Sequence, residues 1–236
     1  MAASKKTLIV CSLAEKSDRY TFSDYSLSIA VDAGAAWFRA HNFVPDFAVG
    51  DFDSIDADTL AWLEASTAHI KRVSSDKDYS DLEVALSLCE EQQVQSATIV
   101  GALGARIDHQ LCVLGALLHS SIPELTLQSS KQTLKLLRAG ESMALKAVRG
   151  SRVGKTSLGA GGDNAKNVSS DTNSHNSTTF SVISPAAARV SITGARWELD
   201  HADLAPLSSH GLSNERRPDC DTTVTVHSGK VFVVTL

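Results

Sequence analysis

The first half of the chain alternates short apolar runs with segments of helical periodicity. The apolar runs predict strands at 7–13, 26–31, 47–50, 70–73 and 96–100. The periodic segments predict helices at 32–41, 56–65, 80–92 and 108–120. Strands that alternate with helices are typical of crossover units, so this half is predicted to be an α/β domain with a mainly parallel, Rossmann-like sheet.

The pattern changes after Pro123. Short alternating runs predict antiparallel strands at 124–130, 133–139, 142–148, 179–185, 189–199 and 222–236, the last of them a hairpin about Ser228-Gly229. Between them, about 150–179 is rich in Ser, Gly, Asn, Asp and Thr, and we expect a polar, mobile insertion there. We therefore predict a catalytic domain at 1–122 and an all-β, sandwich-like domain at 123–236.

Composition and charge exclude some classes of protein. The 236 residues are 43% hydrophobic with a net charge of −5, which argues against general binding to nucleic acid or anionic membranes. No apolar run approaches the ~20 residues that a membrane span needs. The four cysteines are scattered without a Cys-x-x-Cys pair, which predicts reduced thiols in a cytoplasmic protein. Cys11, Cys89 and Cys112 lie in apolar segments and are expected in the core.

Two pairs of aspartates follow strands of the predicted parallel sheet. Asp51 and Asp53 come after the strand at 47–50, and Asp78 and Asp81 lie where a helix begins. On an extended chain Asp51 and Asp53 point to one face, roughly 7 Å apart, and repel. Turn and helix-cap aspartates would explain either pair alone. Carboxyl ends of parallel strands meet at one edge, however, and converging oxygen ligands without His or Cys favour Mg²⁺.

A glycine-rich loop follows the strand at 96–100. Its glycines, such as Gly104, permit close backbone approach to a ligand, and Arg106 supplies a planar cation suited to phosphate. Asp108 and His109 lie where the next helix begins, and Asp108 could also be a plain helix cap.

A similar strand end carries Asp32 and Gly34, where a ligand could also approach the backbone. Together these loops predict a nucleotide-phosphate site that uses Mg²⁺ and no P-loop.

With these motifs assembled, the sequence resembles the thiamine pyrophosphokinase family. The motifs that carry the resemblance are DAGA at 32–35, PDFAVGDFDS at 45–54, DYSD at 78–81, GALGARIDH at 101–109, GARWEL at 194–199 and LSSHGLSNE at 207–215. The resemblance covers nearly the whole chain except the polar insertion. Ala33 and Ala105 stand where the family has glycines, and Ser80 where it has threonine.

The resemblance implies a reaction and its residues. The family moves the pyrophosphoryl group of ATP to the hydroxyl of thiamine, giving thiamine diphosphate and AMP. Implied Mg²⁺ ligands are Asp51, Asp53, Asp78 and Asp81, and implied catalytic residues are Asp78, Asp81, Arg106 and Asp108, the last to orient or deprotonate the hydroxyl. Implied ATP-binding residues are Asp32, Gly34, Asp51, Ser54, Gly104, Arg106 and His109. Implied thiamine-binding residues are Trp197, Ser213 and Asn214, in a homodimer with active sites near the subunit interface.

Other functions stay open at this point. The same scaffold could act on another alcohol, such as a pterin. It could also bind thiamine or a nucleotide without catalysis, or act as an adaptor through the polar insertion.

Overall fold

The computed structural model describes residues 5–15, 17, 20–66, 69–74, 76, 78–104, 106–147 and 178–236. Residues 150–177 of the predicted polar insertion lie outside this described part. The chain forms two compact units. The first reaches Leu136 and includes Phe232–Val234, and the second takes Leu137–Val231 with Thr235–Leu236. No helix in the described ranges is long and apolar enough to cross a membrane.

The first unit is built on a mainly parallel sheet. Its strands in chain order are β1 (Lys6–Val10), β2 (Leu27–Val31), β3 (Phe47–Gly50), β4 (His69–Arg72), β5 (Ser96–Val100), β6 (Glu124–Gln128) and β7 (Thr133–Arg138). Their spatial order is β7-β6-β5-β1-β2-β3-β4, and only the pair of β6 and β7 is antiparallel. The predicted α/β fold class is confirmed.

Helices cover the two faces of this sheet. They are α1 (Ala35–Ala40), α2 (Ala57–Ser66), α3 (Asp81–Glu91) and α4 (Ile107–His119). Leu86 of α3 and Leu117 of α4 share a core with strand residues such as Ile99. Phe38 of α1 and Leu63 of α2 belong to a separate core. The central strands are buried on both faces, which is why they read as continuous apolar runs in the sequence.

The direction of β6 differs from our expectation. We expected 124–130 to be an antiparallel strand of the second domain, but Ser96 pairs with Glu124 and β6 runs parallel to β5. Helix α4 supplies the crossover that a parallel pair needs. The compact units accordingly divide after Leu136, later than the predicted boundary at 122/123.

The second unit is antiparallel and sandwich-like. Its strands are β8 (Ser142–Leu145), β9 (Thr179–Ile183), β10 (Ala188–Thr193), β11 (Leu199–Leu204), β12 (Asn214–Glu215) and β13 (Thr222–Ser228). The last strand, β14 (Lys230–Thr235), contains Phe232–Val234 of the first unit. The order β11-β10-β13-β8 forms one sheet, and β12 pairs with β9. The predicted terminal hairpin is wrong, because β13 pairs with β10 and β8 while β14 belongs to another sheet.

Candidate active site

A cavity of about 440 Å³ opens at the carboxyl edge of the first unit's sheet. The chain passes from β1 through β2 and β3 to β4, then crosses back to β5 on the other side of β1. Such a reversal of strand order leaves a crevice outside the strand ends, where α/β proteins bind ligands. The loops after β1, β2 and β5 and the first turns of α3 and α4 line the cavity.

Three carboxylates converge at this edge. Asp32, Asp51 and Asp53 each offer an oxygen, and these oxygens lie within 4.8 Å of one another. Strand β3 ends at Gly50, and Phe52 has a left-handed backbone with φ 62°. The expected placement of Asp51 and Asp53 on one strand face is therefore wrong. A tight turn brings them together instead, with the Asp53 amide donating to Asp51 Oδ1 at 3.2 Å.

Electrostatic repulsion within this group is visible at Asp53. The pKa of Asp53 is raised, mainly by the negative charge of Asp51 and then by desolvation of the carboxylate. The charges of Asp32 and Asp81 raise it further. Like charges held this close favour a bound cation, because a cation removes the repulsion.

Asp32 belongs both to the carboxylate group and to the cavity wall. The Ser54 hydroxyl donates to its Oδ2, and its Oδ1 is buried without a hydrogen-bond partner among the described residues. A Cβ on Gly50 would lie 3.1 Å from the Asp32 Cα, so the missing side chain lets the loop after β3 approach. The sequence analysis assigned Asp32 to ATP binding. Because β2 pairs with β3, the residues that follow these strands lie close together, and this pairing places Asp32 beside Asp51.

Asp78 and Asp81, the second predicted pair of aspartates, lie in different environments. Helix α3 begins at Asp81, and Ser80 and Glu83 form a capping box, with the Ser80 amide donating to Glu83 at 2.8 Å. Asp81 lines the cavity. Asp78 is exposed in the preceding turn and lies outside the three-carboxylate group.

The glycines of the edge loops contact the chain itself. A Cβ on Gly34 would lie 2.7 Å from the Val10 carbonyl carbon, and one on Gly101 would lie 2.6 Å from the Cys11 carbonyl oxygen. A Cβ on Gly104 would overlap the Leu13 side chain. We expected these glycines to admit a ligand, and Gly101 and Gly104 do line the cavity. They also make room for the end of β1 and the loop that follows it, a segment that sequence reasoning missed.

Arg106 and Asp108 form an ion pair at the start of α4. Arg106 donates to the Asp108 carboxylate from Nε at 3.2 Å and from Nη2 at 2.6 Å, and the His109 amide donates at 2.9 Å. The hydrogen bonds from Arg106, and to a smaller extent the bond from the His109 amide, lower the pKa of Asp108 to about 2. Such a carboxylate is a weak base, so the geometry suits orientation of Arg106 better than deprotonation of a hydroxyl. Arg106 and His109 both line the cavity.

The cysteines fall into different environments. Cys11 and Cys89 are buried as expected, and burial raises the pKa of each thiol to about 12. Cys112 is exposed and lines the cavity, so its expected place in the core is wrong. The helix has an apolar face as predicted, but its first turns line the cavity.

The predicted thiamine-binding residues lie in the second unit. Trp197 is 51% exposed, whereas Asn214 is buried and hydrogen-bonded to the Trp197 backbone. Ser213 is exposed, and its amide donates to Ser181 Oγ at 3.0 Å. The structure thus brings Trp197 and Asn214 together.

Two family models match this sequence. The model described as thiamin pyrophosphokinase, catalytic domain, matches residues 19–128, and that described as thiamin pyrophosphokinase, vitamin B1 binding domain, matches 168–231. The chain belongs to the thiamin pyrophosphokinase family. The catalytic-domain match ends at the last residue of β6, in agreement with the place of β6 in the first unit.

Individual members of the thiamin pyrophosphokinase family are similar in sequence and fold. Thiamine pyrophosphokinase of Bacillus subtilis (strain 168) is 33% identical over 88 residues, which cover 37% of this chain and 41% of that relative. The matched segment thus spans less than half of that relative's length. A crystal structure of thiamine pyrophosphokinase from Bacillus subtilis superposes with a TM-score of 0.74, at 22% identity and 98% coverage of both chains.

A eukaryotic thiamin pyrophosphokinase has the same fold. The structure of the enzyme from Candida albicans has a TM-score of 0.70 at 13% identity, and the match covers 98% of this chain and 88% of that one. At such identities the likeness shows the fold alone.

Proposed function

We propose that the protein transfers the pyrophosphoryl group of ATP to the hydroxyl of thiamine, giving thiamine diphosphate and AMP. The observation that carries the proposal is the carboxylate group of Asp32, Asp51 and Asp53, which borders a cavity that Arg106 also lines. Carboxylates for a cation and a guanidinium for an anion, at one sheet edge, suit a metal-bound polyphosphate. Family membership supports thiamine as the acceptor.

The residues present fit Mg²⁺. The group offers carboxylate oxygens without Cys or His, and the buried Asp32 Oδ1 lacks a donor among the described residues. We assign Asp32, Asp51 and Asp53 to the metal, with Asp81 facing the same cavity; compared with the predicted ligands, Asp32 is added and Asp78 is left out. When bound, Mg²⁺ would shield phosphate charge and reduce its repulsion of the attacking oxygen.

Arg106 supplies the positive charge on the other side of the cavity. Its two hydrogen bonds to Asp108 fix the orientation of the guanidinium. Its remaining N–H groups would contact phosphate oxygens as charge develops during transfer. Transfers of this kind depend on positioning and charge stabilisation more than on a strong base.

The acceptor would bind in the second unit. Trp197 presents a half-exposed indole, and an aromatic face attracts the cationic and aromatic rings of thiamine. We further propose a homodimer and a cytoplasmic location, the latter supported by four free thiols. Light scattering on the purified chain would check the dimer.

The proposal is tested by incubating the protein with Mg²⁺, ATP and thiamine and assaying AMP and thiamine diphosphate. ADP in place of AMP would refute pyrophosphoryl transfer. A pterin accepted in place of thiamine would identify a different acceptor. Thiamine binding without turnover would favour a binding protein.

A single substitution tests the assignment of the metal ligands. Asp51→Asn is expected to abolish turnover while the thermal unfolding midpoint stays unchanged or rises, because a repulsion with Asp53 is removed. Asp58→Asn, in the first turn of α2, is the matched control and should retain turnover. Full turnover by Asp51→Asn would show that the metal assignment is wrong.

A further inference from the structure

The loop that carries Trp197 combines an exposed side chain with a firmly anchored backbone. The loop leaves β10 at Gly194, whose backbone has φ 69°. The Gly194 carbonyl accepts a hydrogen bond from Thr222 Oγ1 at 2.8 Å, and its amide donates to Glu198 Oε1 at 2.7 Å. A large aromatic side chain that is 51% exposed on such a backbone is held in place for contact with something else.

Asn214 makes the hydrogen bonds closest to the indole. Asn214 Oδ1 accepts from the Trp197 amide at 3.2 Å and from the Glu215 amide at 2.8 Å, while Nδ2 donates to the Trp197 carbonyl at 2.7 Å. The two acceptor positions of the oxygen are thus both used. Asn214 is also only 4% exposed. Its side chain therefore serves the Trp197 backbone and has little left to offer a substrate.

Arg196 covers the indole on one side. Its guanidinium carbon lies 4.5 Å from the Trp197 ring centroid, and Nη1 is held by the two carboxylate oxygens of Glu215 at 3.0 and 3.1 Å. The Arg196 amide also donates to the Glu215 carbonyl at 2.9 Å. Strand β12, which is Asn214–Glu215, thus fixes both the backbone of Trp197 and the cation beside its ring.

We propose that Asn214 is a positioning residue that sets Trp197 as a stacking surface for the aromatic acceptor, and that it does not bind the acceptor directly. This inference rests on the proposed function, because it takes the acceptor to be thiamine. It departs from the sequence resemblance, which assigns Asn214 a hydrogen bond to the vitamin.

A double-mutant cycle distinguishes the two roles. Trp197→Ala and Asn214→Ala are each expected to raise KM for thiamine roughly tenfold, within the range of a lost aromatic contact, and to leave KM for ATP unchanged. If Asn214 acts only through Trp197, the double variant is no worse than Trp197→Ala alone. A further rise in KM for thiamine when Asn214→Ala is added to Trp197→Ala would overturn the proposal.

A spectroscopic readout keeps the test independent of thiamine turnover. In protein labelled with 5-fluorotryptophan, the Trp197 resonance is assigned by its loss in Trp197→Phe. Asn214→Ala is expected to shift or broaden this resonance while those of Trp37 and Trp62 stay in place, which also shows that the first unit is folded. An unchanged Trp197 resonance would refute positioning. Failure of the wild type to use thiamine would instead refute the proposed function.

One further variant guards against plain destabilisation. Ser120→Ala removes another buried side-chain acceptor, which receives the Ile122 amide in the first unit. It should leave both KM for thiamine and the Trp197 resonance unchanged. A rise in KM for thiamine in Ser120→Ala as large as in Asn214→Ala would attribute the effect to destabilisation and overturn the proposal.

Discussion

Gly34→Ala tests why a glycine stands beside the candidate active site. A methyl group there would lie 2.7 Å from the carbonyl carbon of Val10 and closer still to its oxygen. Non-bonded carbon atoms normally lie about 3.5–4.0 Å apart. The backbone of β1 or of the turn after β2 would have to move by roughly 1 Å. Val10 and Gly34 are both buried, so neither moves freely.

The expected cost follows from this geometry. Overpacking a rigid interior costs typically 1–3 kcal/mol, and contact with backbone on a central strand favours the upper end, about 3 kcal/mol. Gly34 has φ −58°, so backbone strain adds nothing. Gly115→Ala in α4 is the matched control, because a Cβ there meets nothing within 4 Å. That substitution should stabilise the protein by about 0.5–1 kcal/mol through its helix propensity.

Urea unfolding followed by circular dichroism measures both variants. Gly34→Ala should lower the midpoint strongly and Gly115→Ala should raise it, with slopes close to that of the wild type. The alternative is that Gly34 makes room for a nucleotide. A Gly34→Ala protein that unfolds like the wild type but binds ATP weakly would support that alternative and refute a chain–chain role for the glycine.

Two further predictions concern Asp108 and Cys112. The pKa of Asp108 is about 2 in the folded protein, below the value of about 3.9 expected on unfolding, so its ion pair stabilises the fold above about pH 4 and stops doing so as pH falls towards 2. Asp108→Asn should therefore unfold slightly earlier than wild type in urea at pH 6 and equally at pH 2; a difference that persists at pH 2 would contradict the ion-pair account. Cys112 is exposed in the cavity, whereas burial raises the pKa of Cys11 and Cys89 to about 12. N-ethylmaleimide at pH 8 should therefore modify Cys112 before those two thiols. The modification of Cys112 should be slower when Mg²⁺-ATP is present. Mass spectrometry of peptides would measure this, and equal rates with and without Mg²⁺-ATP would argue against a nucleotide in the cavity.

The sequence predicts where the site lies better than it predicts which residues form it. Parallel strands put their carboxyl ends at one edge, so Asp51, Asp81 and Arg106 could be placed there from periodicity alone. Which carboxylates touch depends on strand neighbours and turns. The adjacency of β2 and β3 brings Asp32 beside Asp51, and a left-handed residue at Phe52 turns Asp53 towards them.

Strand direction and glycine function depend on tertiary context. The five residues of β6 read equally well in a parallel or an antiparallel ladder, and only the pairing with β5 decides. A glycine in the sequence likewise indicates that another group lies close to the backbone, but it does not indicate whether that group belongs to a ligand or to the chain itself. At Gly34 and Gly101 the neighbours are Val10, Cys11 and Ala14, which carry no charge that would mark them in the sequence.

Asp53 and Asp108 both lie beside residues that line the cavity, and their pKa values are shifted in opposite directions. At the group of Asp32, Asp51 and Asp53 the pKa of Asp53 is raised by like charge, so that side can take a cation. At Arg106 the pKa of Asp108 is lowered, yet the guanidinium has more N–H groups than this one carboxylate uses, so that side can take an anion. Inorganic phosphate alone would leave the carboxylate repulsion in place, and Mg²⁺ alone would leave Arg106 facing solvent. Mg²⁺ and ATP together satisfy both sides, and each should therefore bind more tightly in the presence of the other.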